Sequence, residues 1–475
     1  MLLSHQSNEQ NDTIAAIASA HGQGAVGVLR ISGDDALPVL KKIFVPHRES
    51  FESHKMYYGK ICDCINSQKS EIIDEVMVCF FAAPRSFTGG DCVEIYAHGG
   101  MFVLSEILSL ICNNGARLAE PGEFTKRAFL NGRIDLAEAE AVMDLISAKT
   151  SVARRTAIRQ LGGGLSHKIE TARDTILSWI AHIELSIDYP EHEDEARNAA
   201  EILSECDNLI ASLRRLHSTS RVGRIIRDGI RTAIIGRPNV GKSTLLNAIL
   251  HEDRAIVHET AGTTRDVLTE HVRIADIALT IADTAGLRDT SDPIEKIGIE
   301  KTLAAACDAE LILYVADATV GITDEDIEII KGFGSPVIVL VNKSDLLLRD
   351  KTLGALPPMP PQGDEAPLTP YILEISAVTG EGIGGVFDCI KKLFLMGGVG
   401  EGGEEIIVRE RHGELLLRAI EFVESAAGEI CAGVPEDLVS VPLRAAYIAL
   451  GEILGAEMGG DDIVDRIFSE FCLGK

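Results

Sequence analysis

Gly236-Arg237-Pro238-Asn239-Val240-Gly241-Lys242-Ser243 stands between a β-like apolar run, Arg231 to Ile235, and the helical pattern Thr244-Leu-Leu-Asn-Ala-Ile-Leu250. A glycine-rich loop between a strand and a helix is the setting in which backbone amides converge on a phosphate group. Gly236 and Gly241 let the chain curl, so that the amides of Asn239, Val240, Gly241 and Thr244 face inward, and the helix start adds the positive end of its dipole. Lys242 then reaches the outer phosphates, and the Ser243 hydroxyl ligates magnesium. One such octet can arise by chance in a chain of 475 residues, so the segments around it decide the matter.

Three further elements follow in order. Asp283-Thr-Ala-Gly286 closes an apolar run, where an aspartate can hold magnesium through water and a glycine amide can sense a terminal phosphate. Asn342-Lys343-Ser344-Asp345 ends another run, and the Asp345 carboxylate can accept hydrogen bonds from the ring N–H and exocyclic amine of guanine. Ser376-Ala377 follows the last run, where backbone can meet the base carbonyl. Taken singly, Asp345 reads as a turn aspartate and Asp283 as a strand-end cap. Taken together, each at the carboxyl end of its strand, they read as one guanine-nucleotide site. Between the first loop and Asp283 lies His258-Glu-Thr-Ala-Gly-Thr-Thr-Arg-Asp266, in which Thr264 is the candidate for completing the magnesium shell. Leu287 occupies the place where signalling GTPases carry a water-orienting glutamine, and leucine cannot serve that purpose.

Working outward, β-like runs at Arg231 to Ile235, Ile277 to Ala282, Glu310 to Ala316, Pro336 to Val341 and Tyr371 to Ile375 alternate with helical patterns, which predicts a mainly parallel sheet with crossover helices. Residues 1–120 mix short β runs (Ala25 to Ile31, Val76 to Phe81, Cys92 to Ala97) with a helix from Phe102 to Asn113, an α+β domain. Residues 121–220 are helical, as are residues 397–475, and neither stretch makes a sufficient core alone. The expectation is therefore a multidomain α/β + α protein whose P-loop domain, 221–396, is inserted into one all-helical domain.

A net charge of −27 argues against a general nucleic-acid coat and leaves room only for a local contact. Arginines cluster at Arg154, Arg155 and Arg159 and again at Arg214, Arg215, Arg221, Arg224, Arg227 and Arg231, and solvated helix faces account for them. Ten cysteines are scattered without metal-knuckle spacing, as expected of thiols in a reducing cytosol. With no long apolar run and no apolar leader pattern, a cytoplasmic protein without a membrane span is expected.

Further motifs run nearly the whole length: Asp12-Thr-Ile-Ala; Gly24-Ala-Val-Gly-Val-Leu-Arg30-Ile-Ser-Gly33; Ser86-Phe-Thr-Gly-Gly-Asp91; Glu94-Ile-Tyr-Ala-His98-Gly-Gly100; Pro121-Gly-Glu-Phe-Thr-Lys-Arg127-Ala-Phe-Leu-Asn131-Gly-Arg133-Ile-Asp135; and Phe471-Cys-Leu-Gly-Lys475 at the end. In these the chain resembles the MnmE (TrmE) family of tRNA-modification GTPases. The resemblance implies an N-terminal folate-binding and dimerising domain, then a helical domain split by the G domain. It also fills the gap at Leu287 with a potassium ion in place of an arginine finger, held by Asn239 and by His258, Thr260 and Thr263. Glu295 falls on the family's water-positioning glutamate.

The same resemblance implies binding of 5-formyltetrahydrofolate, or a related one-carbon tetrahydrofolate, at Arg30, Glu94, Arg133 and Lys475, and a part for Cys472 in chemistry on the uridine. Arg133 stands where many members carry lysine, and Leu473 where they carry isoleucine or valine. The implied partners are GTP and GDP, tRNA, a second copy of the chain, and a flavin-containing protein of the MnmG type in a heterotetramer. The implied reaction adds an aminomethyl-type group to carbon-5 of the wobble uridine. The rival expectation is a regulatory or ribosome-assembly GTPase whose flanking domains only dock partners.

Overall fold

A computed structural model describes residues 12–20, 22–46, 51–63, 71–188, 199–251, 270–274, 277–281, 308–346, 371–395, 405–456, 461–471 and 474. The chain opens with β1 (Ile14–Ile17), β2 (Val26–Ser32), α1 (Ala36–Ile43), β3 (Phe44–Pro46), β4 (Met56–Asp63), β5 (Glu71–Phe81), β6 (Cys92–His98), α2 (Met101–Asn113) and β7 (Arg117–Leu118). Its sheet has the order β3-β4-β5-β6-β2-β1-β7, antiparallel except where β7 joins β1. Strand alternation sends Leu29, Ile31, Val76, Val78, Val93 and Ile95 into a core shared with Val39 and Leu40 of α1 and Leu104, Ile107 and Ile111 of α2. The same alternation leaves Arg30, Cys92 and Glu94 on the opposite face. Sequence patterning reaches β2, part of β5, β6 and α2. It misses β1, whose four residues are buried on both faces and so do not alternate, and β4, whose run is broken by Gly59, Lys60 and Asp63.

Helices α3 (Glu123–Leu130), α4 (Leu136–Ser147), α5 (Ser151–Leu161), α6 (Gly164–Asp188), α7 (Ala199–Ser218) and α8 (Ser220–Asp228) follow. The α/β part comprises β8 (Ile230–Gly236), α9 (Lys242–His251), β9 (Glu270–Ile274), β10 (Ile277–Ile281), β11 (Leu311–Asp317), α10 (Asp324–Lys331), β12 (Val337–Asn342), β13 (Tyr371–Glu374) and α11 (Ile383–Leu395). Three more helices, α12 (Glu410–Cys431), α13 (Glu436–Leu454) and α14 (Asp461–Ser469), come after it. The second sheet has the order β13-β12-β11-β8-β10-β9, parallel except for the β9–β10 pair. β12 is buried along its whole length and β8 and β11 along nearly all of theirs, because clusters of apolar side chains cover both faces. The Pro-rich run Leu356 to Pro370 lies outside the described residues.

The chain divides into two compact units, one of Met1–Met143, Gln160–Ile202 and Ser425–Lys475, the other of Asp144–Arg159 and Leu203–Glu424. Within the first, α6 packs on α13, and the Arg173 guanidinium lies 4.1 Å from the centre of the Tyr447 ring. Phe468 and Phe471 join Leu136 and Ala139 in a separate apolar cluster. Within the second, α8 faces two ways: Ile225 enters the core of the sheet, while Ile226 joins Ala153, Ile406 and Val408. Among the described residues no helix is long and apolar enough to cross a membrane.

Candidate functional site

β8 ends in Gly236 at φ +156°, and a Cβ there would come 2.2 Å from the Val315 carbonyl of neighbouring β11. Gly241, at φ +98°, would bring a Cβ to 2.3 Å from Asn342 Nδ2. The loop is thus pressed against the ends of two strands at both glycines, and only residues without side chains allow that approach. Asn239 between them is left-handed at φ +62°, and its exposed side chain makes no hydrogen bond to a described residue. Lys242 opens α9 and donates from Nζ to the Gly236 and Arg237 carbonyls, each at 2.8 Å. Burial pushes its ammonium below the ordinary lysine range. Ser243 and Thr244 occupy the first turn of the same helix.

The other loops are fastened to this one. Asn342 donates from Nδ2 to the Val240 carbonyl at 2.8 Å, and its Oδ1 accepts from the Ala377 amide at 2.9 Å. Lys343, itself left-handed at φ +67°, donates from Nζ to the Asn239 carbonyl at 2.9 Å and to Asp317 Oδ2 at 2.6 Å. Burial alone would raise the Asp317 carboxyl, but hydrogen bonds from Lys343 and Thr319 outweigh it and hold the group below the usual carboxylate range. Ser376 Oγ donates to Asp345 Oδ1 at 2.6 Å, which fixes the carboxylate. Sequence reasoning expects Asn342, Lys343, Ser376 and Ala377 at the nucleotide; the structure shows that they bind the loops to one another. It misses Asp317, whose signal is an acidic residue closing the apolar run of β11.

Asn239, Val240, Gly241, Lys242, Ser243, Thr244, Asn342, Lys343, Asp345, Ser376 and Ala377 therefore gather at the carboxyl ends of β8, β12 and β13. The remaining expected residues of this site, His258, Thr260, Thr263, Thr264, Asp283, Gly286 and Glu295, lie outside the described residues, as does Leu287.

A second site sits on the open face of the N-terminal sheet. Arg30, Phe81, Arg85, Ser86, Phe87, Cys92, Glu94 and Arg133 line a cleft of about 410 Å³. Arg30 of β2 donates from Nε and Nη2 to Glu94 Oε1 at 3.0 and 2.8 Å, across the register pair that joins β2 to β6. Tyr96 donates to Glu94 Oε2 at 2.6 Å. The guanidinium of Arg30 lies 4.4 Å from the centre of the Phe87 ring, with Arg133 on the same ring at 5.4 Å. Nη1 of Arg30 is buried and has no hydrogen-bond partner among the described residues, so this cleft holds an unmatched donor. Burial pushes the Cys92 thiol up to about 12, which makes it an inert wall.

The motifs around the cleft have structural reasons. Asn131 donates to the Thr88 carbonyl at 2.7 Å and Arg133 donates to the Phe87 carbonyl, so the end of α3 holds the 86–91 loop. Arg127 and Arg117 both bridge Asp12 and Glu123. Near the chain's end, a Cβ on Gly474 would lie 2.3 Å from the Ile17 carbonyl. Ile17 is in the strand beside Leu29 and Arg30. Thus Arg30, Glu94 and Arg133 share one cleft, while Cys472 and Lys475 lie outside the described residues.

A model of the MnmE helical domain matches residues 136–472, and one of the N-terminus of the GTP-binding protein TrmE matches residues 13–133. The tRNA modification GTPase MnmE of Thermoanaerobacter sp. (strain X514) is 43% identical over 474 residues, covering 98% of this chain and 99% of its own. The protein of the same name from Lactococcus lactis subsp. lactis (strain IL1403) is 42% identical over 470 residues, with 98% and 99% covered. Among solved structures, a point variant of Aquifex aeolicus Era bound to GDP and aluminium fluoride is similar at 28% identity and a TM-score of 0.23, covering 41% of this chain and 66% of that one. The G domain of the T. maritima FeoB iron transporter is similar at 24% identity and a TM-score of 0.22, covering 34% and 97%. With relatives above 40% identity along 98% of its length and family models over both its N-terminal and helical parts, the chain belongs to the MnmE family of tRNA modification GTPases.

Proposed function

We propose that this GTPase is potassium-dependent and that, with a flavin-containing partner of the MnmG type, it modifies carbon-5 of the tRNA wobble uridine using a one-carbon folate. The observation that carries the second half is the cleft in which Arg30, Glu94 and Arg133 converge. A pterin ring offers donors that suit a carboxylate such as Glu94, and the tail carboxylates of a folate suit guanidinium groups. The unmatched Nη1 of Arg30 is one such group waiting for an acceptor. The nearness of Gly474 to Ile17, in the strand beside β2, supports a share for Lys475 in folate binding.

At the nucleotide site, Lys242 already bridges two loop carbonyls and would exchange them for phosphate oxygens, and Asp345 would select guanine. Ser243 would hold magnesium, with Thr264 and the Asp283 segment completing the shell. The exposed amide of Asn239, presented by its left-handed backbone, suits a monovalent cation, together with His258, Thr260 and Thr263. Such a cation supplies positive charge beside the β- and γ-phosphates, where charge develops during transfer. Glu295 would orient the attacking water. G domains of two copies would close and reopen with hydrolysis, coupling the nucleotide cycle to the modification.

Titration of the purified chain with 5-formyltetrahydrofolate tests the cleft. Wild type is expected to bind, and Glu94→Ala and Arg30→Ala to lose binding; no binding by wild type removes the folate assignment. GTPase rates in potassium and in sodium, with Asn239→Ala as control, test the cation, and equal rates in the two salts remove it.

A further inference from the structure

The second residue of the P-loop has an assignment in neither site. Arg237 donates from Nε to Asp326 Oδ1 at 2.9 Å and from Nη2 to Glu325 Oε2 at 3.0 Å, and Nη2 also donates to Thr323 Oγ1. Its three partners form the start of α10. Thr323 is the N-cap of that helix and Asp326 its reciprocal partner: Asp326 Oδ2 accepts from the Thr323 amide at 2.8 Å and hydroxyl at 2.9 Å. Tyr314 of β11 donates to Asp326 Oδ1 at 2.5 Å from the core side. The Asp326 carboxylate, 4% exposed, thus receives the core tyrosine, the cap and the P-loop arginine on its two oxygens.

We infer that Arg237 is a positioning residue of the nucleotide site: its side chain, anchored on the capping box of α10, holds the upstream half of the P-loop in the shape that the phosphates and Lys242 require.

Two physical points carry this. First, the segment from Arg237 to Asn239 needs an external anchor. Pro238 has no N–H to tie it down, and Asn239 holds a left-handed backbone, which asparagine tolerates better than other residues with a Cβ but which still costs more than for glycine. The downstream half is secured by Lys343 on the Asn239 carbonyl and by Asn342 on the Val240 carbonyl. On the upstream side, the Arg237 fork takes that place. Second, the carbonyl of Arg237 is one of the two that hold Lys242 Nζ, so displacement of this residue moves the lysine with it. The geometry also argues against a catalytic use of the guanidinium on the phosphates, since its departure would strip a buried carboxylate of its counter-charge.

The test uses the full chain and fluorescent GDP. Arg237→Ala is expected to weaken GDP about five- to tenfold, the order of one or two lost hydrogen bonds. Arg237→Lys should restore affinity to within about threefold of wild type, since an ammonium can still meet Asp326 but cannot fork. Asp326→Asn should match Arg237→Ala, and the double variant should be no worse than the weaker single one. Tyr314→Phe provides the structural comparison, because it removes a donor from the same carboxylate without touching the loop. It should lower the melting temperature and leave GDP affinity within about twofold. Unchanged affinity in Arg237→Ala, a Tyr314→Phe variant equally weakened toward GDP, or additive losses in the double variant would each overturn the assignment. Should Arg237→Ala not fold, the isosteric Asp326→Asn carries the same expectation, and wild-type affinity there is equally decisive.

Discussion

Asn342 shows how one side chain serves two purposes. It is 2% exposed, and its amide supplies a donor to the P-loop and an acceptor to the Ala377 amide. Truncation would orphan both of those buried backbone groups, at a cost of about 1–3 kcal/mol each. Asn342→Ala is accordingly expected to destabilise the chain by about 2–6 kcal/mol and to weaken GDP at least about tenfold. Thermal melts and GDP titration read the two effects, and wild-type values in either would refute the double role. Glu123 gives a pH dependence. Burial alone would raise its carboxyl, but hydrogen bonds from Arg117, the Glu120 amide and Arg127 outweigh it, so the group titrates below its ordinary value. The stabilisation is therefore complete above the unfolded value of about 4.3 and disappears as pH falls through the folded one. The gap in melting temperature between wild type and Glu123→Gln should be constant above about pH 5 and shrink below about pH 4. A gap that widens on acidification would contradict this network. At this scale the loops that converge at the ends of β8, β12 and β13 are legible, because nucleotide chemistry calls for fixed residue types at fixed spacing. Arg30 and Glu94 are not, since an ion pair across two antiparallel strands separates its members by 64 positions, and only the resemblance singles them out.

Among the elements, the parallel strands announce themselves: burial on both faces turns β11, β12 and the Ala233 to Ile235 part of β8 into apolar runs. The short edge and bulged strands do not, β4 having a register shift at Ile61 and Cys62 and β3 only three residues. Helix α8 has a feature that propensity misjudges. Replacing a glycine inside a helix by alanine ordinarily stabilises it by about 1 kcal/mol. At Gly223, however, a Cβ would sit 1.9 Å from the Ile407 carbonyl, and a backbone atom cannot swing aside as a side chain can. The contact allows α8 to lie against the 405–408 segment while Ile226 fills the cluster with Ile406 and Val408. The clash outweighs the propensity gain, so Gly223→Ala should destabilise by about 1–3 kcal/mol, the usual cost of overpacking. A denaturant midpoint equal to or above that of wild type would show that α8 is free to move off the segment.

For the whole molecule, charge is the feature that a tRNA-modifying function has to accommodate. The chain carries a net −27, and the arginine-rich helices do not offset it as freely as their sequences suggest. Arg159 faces Glu405, Arg214 pairs with Glu424, Arg224 with Glu310 and Arg227 with Asp228. Each of these guanidiniums already has an acidic neighbour, which leaves few to neutralise RNA phosphates. Salt dependence counts such contacts, because each neutralised phosphate releases counterions and steepens the fall of affinity with salt. We expect the chain alone to bind tRNA weakly, with a log–log salt slope of about −2 to −3, the value for a few phosphate contacts. Addition of a basic partner should steepen the slope as well as raise affinity, since the partner brings its own cations to the backbone. Filter binding across a salt series, with and without the flavin-containing partner proposed above, measures both quantities. Arg154→Glu with Arg155→Glu, two exposed positions on α5, should flatten the slope of the chain alone by about one or two if that helix supplies the contact. Tight binding by the chain alone with a slope steeper than about −6 would mean that a large basic surface exists despite the overall charge, and that these ion pairs open on contact with RNA.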